Sequence, residues 1–220
     1  MPSRVVSVNR GCIRPLEWRG EMLRSAIVKT PVDGPVQLTR LGMQGNQVGN
    51  RKVHGGVDKA VYLYPLEHYD YWRETLGRPD LAPGGFGENL TITGLDEDDL
   101  AIGDRLRIGH AVLEISQPRL PCKKLMAHMG RADMGKLFLA SERTGFYARV
   151  ITPGSVKAGY KVRVVRRVRD RLTVRELTRM MGNKDRDPER RQWAAGVEGV
   201  PGRVREQLVP DRRASLCGSP

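Results

Sequence analysis

Gln117-Pro-Arg-Leu-Pro-Cys-Lys-Lys-Leu125 sets one thiol, Cys122, between Pro121 and a pair of lysines, just after a strand-like run. Pro118 and Pro121 limit the backbone freedom of this loop. Arg119, Lys123 and Lys124 favour a thiolate over a thiol. A thiolate in a rigid, positively charged loop can be a nucleophile, a redox thiol or a soft-metal ligand. The plain alternative is a small half-buried cysteine beside two solvated lysines. Two more polar clusters stand out. Gly45-Asn-Gln-Val-Gly-Asn-Arg-Lys-Val-His-Gly-Gly56 gathers four glycines, Asn50, Arg51, Lys52 and His54. Such a loop lets backbone approach a ligand and exposes N–H groups to anions, although its spacing is neither a Walker loop nor a dinucleotide fingerprint. Ala82-Pro-Gly-Gly-Phe-Gly-Glu-Asn-Leu90 ends in Glu88 and Asn89, which either orient a substrate or satisfy loop backbone groups.

These clusters lie at ends of strands, and a small β-barrel would bring them together over one mouth. The combined set holds one cysteine, one histidine, a Glu-Asn pair and five or six cations. That suits a phosphate-bearing anion near a thiolate. It suits zinc poorly, because tetrahedral ligand spacing is missing. A Cys122–His54 hydrolase with Asn89 or Glu88 as orienter ranks second. Its weakness is that Cys122 is not expected at a helix start with an oxyanion pocket. Asp96-Glu-Asp-Asp99 lacks the spacing of a calcium loop and reads as a solvated turn.

The positioning elements are mostly short strands. Residues 4–9, 23–29, 36–43, 58–64, 90–93, 102–108, 111–117, 145–151 and 160–165 read as β, punctuated by turn residues. Pro65 opens an expected helix that Gly77 stops, with Leu66, Tyr69, Trp72 and Leu76 forming its apolar stripe and His68 beside it in a packing or capping role. Residues 123–129 and 133–143 read as two more helices. Thr173-Val-Arg-Glu176 is a capping box, Asp187-Pro188 starts a second helix, and residues 200–208 form a third. The expected organisation is a domain over residues 1–166, a three-helix extension over 167–209 and a frayed tail over 210–220. The extension is too small to fold alone. It is expected to dock on the domain or on a partner.

The chain of 220 residues carries 38 Lys and Arg against 25 Asp and Glu, a net charge of +13. Residues 161–220 hold 16 basic and 8 acidic side chains. No basic stretch is interleaved with aromatics, which argues against nucleic-acid binding. Cys12, Cys122 and Cys217 form no CxxC pair, so neither a disulfide scaffold nor a zinc framework is indicated. Cys12 reads as a small buried filler. No signal run is present, and no stretch approaches the ~18 apolar residues of a membrane span. A cytoplasmic setting is the expectation.

Taken in order, the segments Arg51-Lys-Val-His-Gly-Gly56 with Asp58-Lys-Ala60, Pro65-x-x-His68-Tyr69, Gly87-Glu-Asn-Leu90 and Gln117-Pro-Arg-x-Pro-Cys122-x-Lys-Leu125 resemble the MOSC family. This family is named for the C-terminal domain of molybdenum-cofactor sulfurase. The resemblance is to its stand-alone bacterial branch with a C-terminal three-helix extension. It implies a mostly β domain with helices, strongly curved and barrel-like. It implies a molybdenum cofactor (molybdopterin), with Cys122 as the protein ligand to molybdenum. It also implies reduction of N-hydroxylated purine bases and amidoximes to the parent amines. A non-catalytic cofactor carrier is the alternative. Asn50, Arg51, Lys52, Gly55, Gly56, Lys59, Phe86, Arg119, Lys123 and Lys124 then become candidate cofactor contacts. His54, Glu88 and Asn89 become candidates for cofactor or substrate. Pyridoxal phosphate binding and a role in detoxification are further associations of the same resemblance. No flavin, haem or iron–sulfur motif is visible, so electrons are expected from a separate redox protein, with the basic extension as its docking surface. On that view, deleting residues 170–220 would spare activity with an artificial reductant.

Overall fold

A computed structural model describes residues 2–49 and 55–209. The strands in chain order are β1 (Arg4–Arg10), β2 (Arg14–Trp18), β3 (Glu21–Ser25), β4 (Thr30–Pro31), β5 (Val36–Thr39), β6 (Gly42–Met43), β7 (Val61–Pro65), β8 (Leu90–Thr93), β9 (Arg105–Ile108), β10 (Ala111–Pro118), β11 (Phe146–Thr152), β12 (Gly154–Val156) and β13 (Val162–Arg166). The α-helices are α1 (His68–Leu76), α2 (Lys123–Met129), α3 (Met134–Ser141), α4 (Val174–Met181), α5 (Pro188–Gly196) and α6 (Gly202–Leu208), and Val57–Lys59 is a 3₁₀ turn.

Eight strands form the main sheet in the order β13-β9-β10-β11-β7-β8-β1-β4, all antiparallel except β7–β8. The sheet curls until residues 159–162 reach β1: Val5 N–H donates to the Tyr160 carbonyl and Val162 N–H to that of Ser3. These bonds make an isolated bridge, Arg4 to Lys161, and not a strand ladder. The fold is therefore mixed α/β around a large curved sheet, and among the described residues no ladder closes it into a barrel. β10 bends through two register shifts, as bulged strands do. That bend turns its end, Gln117 and Pro118, toward the start of α2.

Three local expectations change. Pro65 ends β7, where it lies opposite Ile92, and does not open α1. Leu66 N–H still donates to the Ile92 carbonyl, so parallel pairing outlasts the proline. The β2–β3 hairpin appears where only residues 23–29 read as a strand. Its turn residues Arg19 and Gly20 both have positive φ, 53° and 76°, which matches the twist of a two-residue hairpin. The acidic run is not simply solvated. Glu97 is fully buried, bonded to His68 Nε2 at 2.7 Å and accepting from Gly145 N–H at 2.7 Å.

The core has two parts. One fills the curl of the sheet, with Leu63, Leu90, Ile92, Leu106, Leu113 and Phe146 fully buried. The other lies under α1, α2 and α3, where Tyr64 stacks on Phe86 at 4.5 Å and Trp72 Nε1 donates to the Tyr64 hydroxyl. Residues beyond 166 share the first core through Leu172, Val174, Leu177, Met180, Ala194, Val197, Val200, Val204 and Leu208. Buried Asp104 ties this segment down: it accepts from Val168 N–H at 2.8 Å and from Arg171 at 3.2 Å. Each buried aliphatic side chain contributes about 1.5–3 kcal/mol. Deleting residues 170–220 should therefore destabilise the sheet as well as remove the basic surface, so exposed charges after residue 161 offer a cleaner test of the docking expectation than truncation does.

Candidate functional site

Three neighbouring strands build the wall of the site. Tyr147 on β11 lies opposite Gln117 of β10 on one side and Tyr62 of β7 on the other. The two phenol rings meet at 5.1 Å. Burial pushes both hydroxyls up in pKa, so they stay neutral hydrogen-bonding groups. The chain leaves β10 at Pro118, and Arg119 N–H donates to the Gly145 carbonyl. The Arg119 guanidinium lies over Tyr62 at 5.1 Å and over Phe138 at 5.3 Å. Arg119 is only 5% exposed, and its Nη1 has no hydrogen-bond partner among the described residues. A buried, unpaired guanidinium nitrogen is costly in the absence of an anion.

Cys122 is the N-cap of α2, with extended backbone and no capping bond from its side chain. The half-buried thiol is therefore not occupied in holding the helix. Its placement corrects the expectation that Cys122 is not at a helix start. Cys122, Arg119, Lys124, Lys59, Lys29, Tyr62, Tyr147 and Asn89 line one cavity of about 120 Å³. Four cations face it, and none of the described residues lining it is an Asp, a Glu or a His. Burial is the largest cause lowering the Lys59 amine, and Arg203 of α6 adds to it. Two glycines allow the closeness. A Cβ on Gly49 would sit 2.9 Å from the Arg24 carbonyl, and one on Gly87 (φ +77°) would sit 2.7 Å from Ile27.

The expected site residues divide. Cys122, Asn89, Gly55, Lys59, Arg119 and Lys124 converge on the cavity. Asn89 also holds the sheet together: its Oδ1 accepts from Tyr62 N–H and its carbonyl from Asn9 N–H. Glu88 does not line the cavity. It is fully buried, accepting from the Tyr69 hydroxyl, the Thr91 hydroxyl and the backbone of Gly84 and Phe86. Its role is to fold the glycine turn, so it is withdrawn as a catalytic candidate. Phe86 is withdrawn as a cofactor contact, since it is enclosed by Tyr64, Tyr69, Trp72 and Phe138. Lys123 is exposed and pairs with Glu21 instead. Gly56 is exposed at the start of the 3₁₀ turn, outside the cavity lining. Asn50, Arg51, Lys52 and His54 lie outside the described residues, as does Cys217. Cys12 is exposed and not a core filler.

Lys29 and Asn46 were missed. Lys29 follows Ala26-Ile27-Val28, and a lysine closing a buried apolar run was the available signal. Its Nζ donates to Asn46 Oδ1 at 2.5 Å, and the same oxygen accepts from Gly11 N–H. Among the described residues no group of three or more His, Cys, Asp and Glu converges. A metal in this cavity would rest on Cys122 and on ligands brought by a cofactor. No helix among the described residues is long and apolar enough to cross a membrane.

A MOSC domain matches residues 50–163. Protein YiiM of Escherichia coli (strain K12) is 44% identical over 155 residues, covering 69% of this chain and 68% of its own. A protein named "Reductase" from Gibberella moniliformis is 33% identical over 183 residues, 82% of this chain but 32% of that protein. The crystal structure of YiiM from Geobacillus stearothermophilus superposes with a TM-score of 0.79 at 33% identity, covering 94% of this chain and 97% of that one. With its motifs, its fold and these relatives in agreement, the chain belongs to the MOSC domain family.

Proposed function

We propose that this protein is an oxidoreductase that binds a molybdenum cofactor through Cys122 and reduces N-hydroxylated compounds, such as hydroxylated purine bases and amidoximes, to the parent amines. The observation that carries the reading is the cavity's donor set: one thiol, four cations, no facing carboxylate among the described residues, and the unpaired Nη1 of Arg119. That set fits a soft metal attached to an anionic, phosphate-bearing organic group. The family and the reductase-named relative support the same direction. When bound, the cofactor supplies the two-electron chemistry that breaks the N–O bond.

Cys122 Sγ would hold the metal as a thiolate. Arg119, Lys59 and Lys124 would balance negative charge and the neutral phenol of Tyr147 would add a hydrogen bond without charge, while the Tyr62 hydroxyl is committed to the Thr144 carbonyl. Electrons would arrive from a separate redox protein with an acidic face. The exposed basic surface after residue 161 suits such a partner, and Arg163 and Arg169 are exposed on it. Reversing those two charges should impair turnover with the protein donor and leave turnover with a chemical reductant intact.

Expression in a cofactor-producing host, elemental analysis and an assay on an N-hydroxylated base test the reading. Wild type should carry molybdenum and turn over, and Cys122→Ser should lose both. A Cys122→Ser protein that keeps its molybdenum and its activity would refute the assignment. Bound metal with no turnover on any N-hydroxylated compound would point to a cofactor carrier.

A further inference from the structure

Four cations line the cavity, and one of them is placed differently. Arg119, Lys59 and Lys124 line the same cavity as Cys122. Lys29 lines it too, but it also lines a second pocket, formed with Arg78, Asp80, Gly84 and His128, from whose lining the other three are absent. Its accessible surface is explained by these two hollows: it is half-buried by area, yet protein surrounds it. The fit between Lys29 and the glycine turn is close, since a Cβ on Gly84 would meet Lys29 Cβ at 3.3 Å. Lys29 makes no ion pair among the described residues. Its bonded partner is the Asn46 amide oxygen. Glu88, whose charge acts on it, has its oxygens committed to four other donors.

Reduction of an N-hydroxylated amine consumes two electrons and two protons. The N–O bond breaks, one proton joins the departing hydroxyl to give water, and one joins the nitrogen. The electrons come from the redox-protein donor named above by way of the bound cofactor. The first proton must be delivered inside a cavity whose described lining offers no carboxylic acid and no histidine.

We propose that Lys29 is the proton donor for the departing hydroxyl, recharged from water in the second pocket, an assignment that rests on the reductase reading. The second proton reaches nitrogen from water. Burial lowers the Lys29 amine to about 8, Glu88 opposing the shift and Arg119 adding to it. Lys59, Lys124, Cys122, Tyr62 and Tyr147 face it across the cavity. Arg78, Asp80 and His128 face it from the second pocket, and burial also lowers His128, keeping that imidazole neutral. An amine in this range is charged at neutral pH and gives up its proton more readily than a surface lysine, as a general acid requires.

The test uses the full chain, loaded with cofactor and also free of it. Lys29→Arg keeps the charge but its guanidinium does not release a proton. Lys29→Ala leaves room for a small amine. Both should retain wild-type molybdenum content while kcat/KM falls by roughly 10²- to 10⁴-fold. Methylammonium should restore part of the Lys29→Ala activity and none of the Lys29→Arg activity. Wild-type kcat/KM should fall as pH rises through about 8 or above, a limb both variants lack. In cofactor-free protein, competitive acetylation read by mass spectrometry should find Lys29 titrating near 8, well below the ~10.4 of a lysine in a model peptide. Full activity in Lys29→Arg, loss of molybdenum from either variant, or an ordinary titration of Lys29 would each overturn the proposal. A loaded wild type that turns over no N-hydroxylated compound would remove the donor role with the reaction. The labelling result tells that failure apart from a misassigned lysine.

Discussion

Replacing a buried lysine by methionine usually removes a contact, yet Lys29→Met should stabilise this protein at neutral pH. The Lys29 amine falls from 10.5 in the unfolded chain to about 8 in the folded one. Between those values the unfolded state binds more protons, so wild-type stability rises with pH across that window. Below pH 8 the folded state carries the whole penalty. The full shift corresponds to about 3.4 kcal/mol. Water in the two hollows beside Lys29 screens part of it, leaving about 2 kcal/mol. The variant escapes that cost but loses the hydrogen bond to Asn46, worth about 1 kcal/mol. The cofactor-free variant should therefore be about 1 kcal/mol more stable than wild type at pH 7. It should lose that advantage, and fall slightly below wild type, by pH 10. Urea unfolding of both proteins at pH 7, 8, 9 and 10 measures the swing, and every other titrating group cancels in the difference. A difference that stays flat with pH, or that favours wild type at pH 7 and the variant at pH 10, would refute the reasoning about burial.

Arg119→Met should leave the thermal midpoint of cofactor-free protein unchanged or raise it, because it removes an unpaired buried donor. The same variant should release molybdenum at least about tenfold faster on dialysis if Arg119 completes its bonding on the cofactor. Glu88→Gln should cost roughly 2–4 kcal/mol in denaturant unfolding, since an amide cannot accept from two backbone N–H groups and two hydroxyls at once. Asp104→Ala should cost about 3 kcal/mol by the same measurement, leaving Ala101 N–H, Val168 N–H and two arginines without their acceptor.

Much of the strand pattern was legible in the sequence because turn residues interrupt β-branched runs, and β1, β8, β9 and β10 lie close to where those runs fall. The capping box at Thr173 was legible for the same local reason, and both of its reciprocal bonds form. What sequence reading missed depends on distant partners. Pro65 has good helix-start chemistry, and only the neighbouring strand at Ile92 explains why it stays extended. Glu97 read as a solvated carboxylate, and Glu88 read equally as a substrate orienter or as an acceptor for loop backbone groups, the second of which its bonds to Gly84 and Phe86 N–H bear out. Their burial becomes reasonable once Tyr69, Thr91, His68 and Gly145 are seen to surround them. Lys29 was passed over because a lysine is ordinarily a surface residue. Cys122, Arg119, Lys59 and Lys124 were visible as a positive cluster, but the absence of opposing acids in the described wall is a property of the fold.

Arg149 reaches from β11 to three acceptors at once, Glu114 on the neighbouring β10 among them. Its Nε holds the Asp58 carboxylate in the turn beside Lys59, and its Nη2 holds the Gly199 carbonyl between α5 and α6. A ligand that shifts the turn beside Lys59 should therefore be felt at the C-terminal helices through this guanidinium. Trp193, 44% exposed on α5, is a built-in reporter of that shift. Its fluorescence should register cavity filling from outside the cavity, and Arg149→Lys, which lacks the second arm, should silence the signal while the cavity still fills.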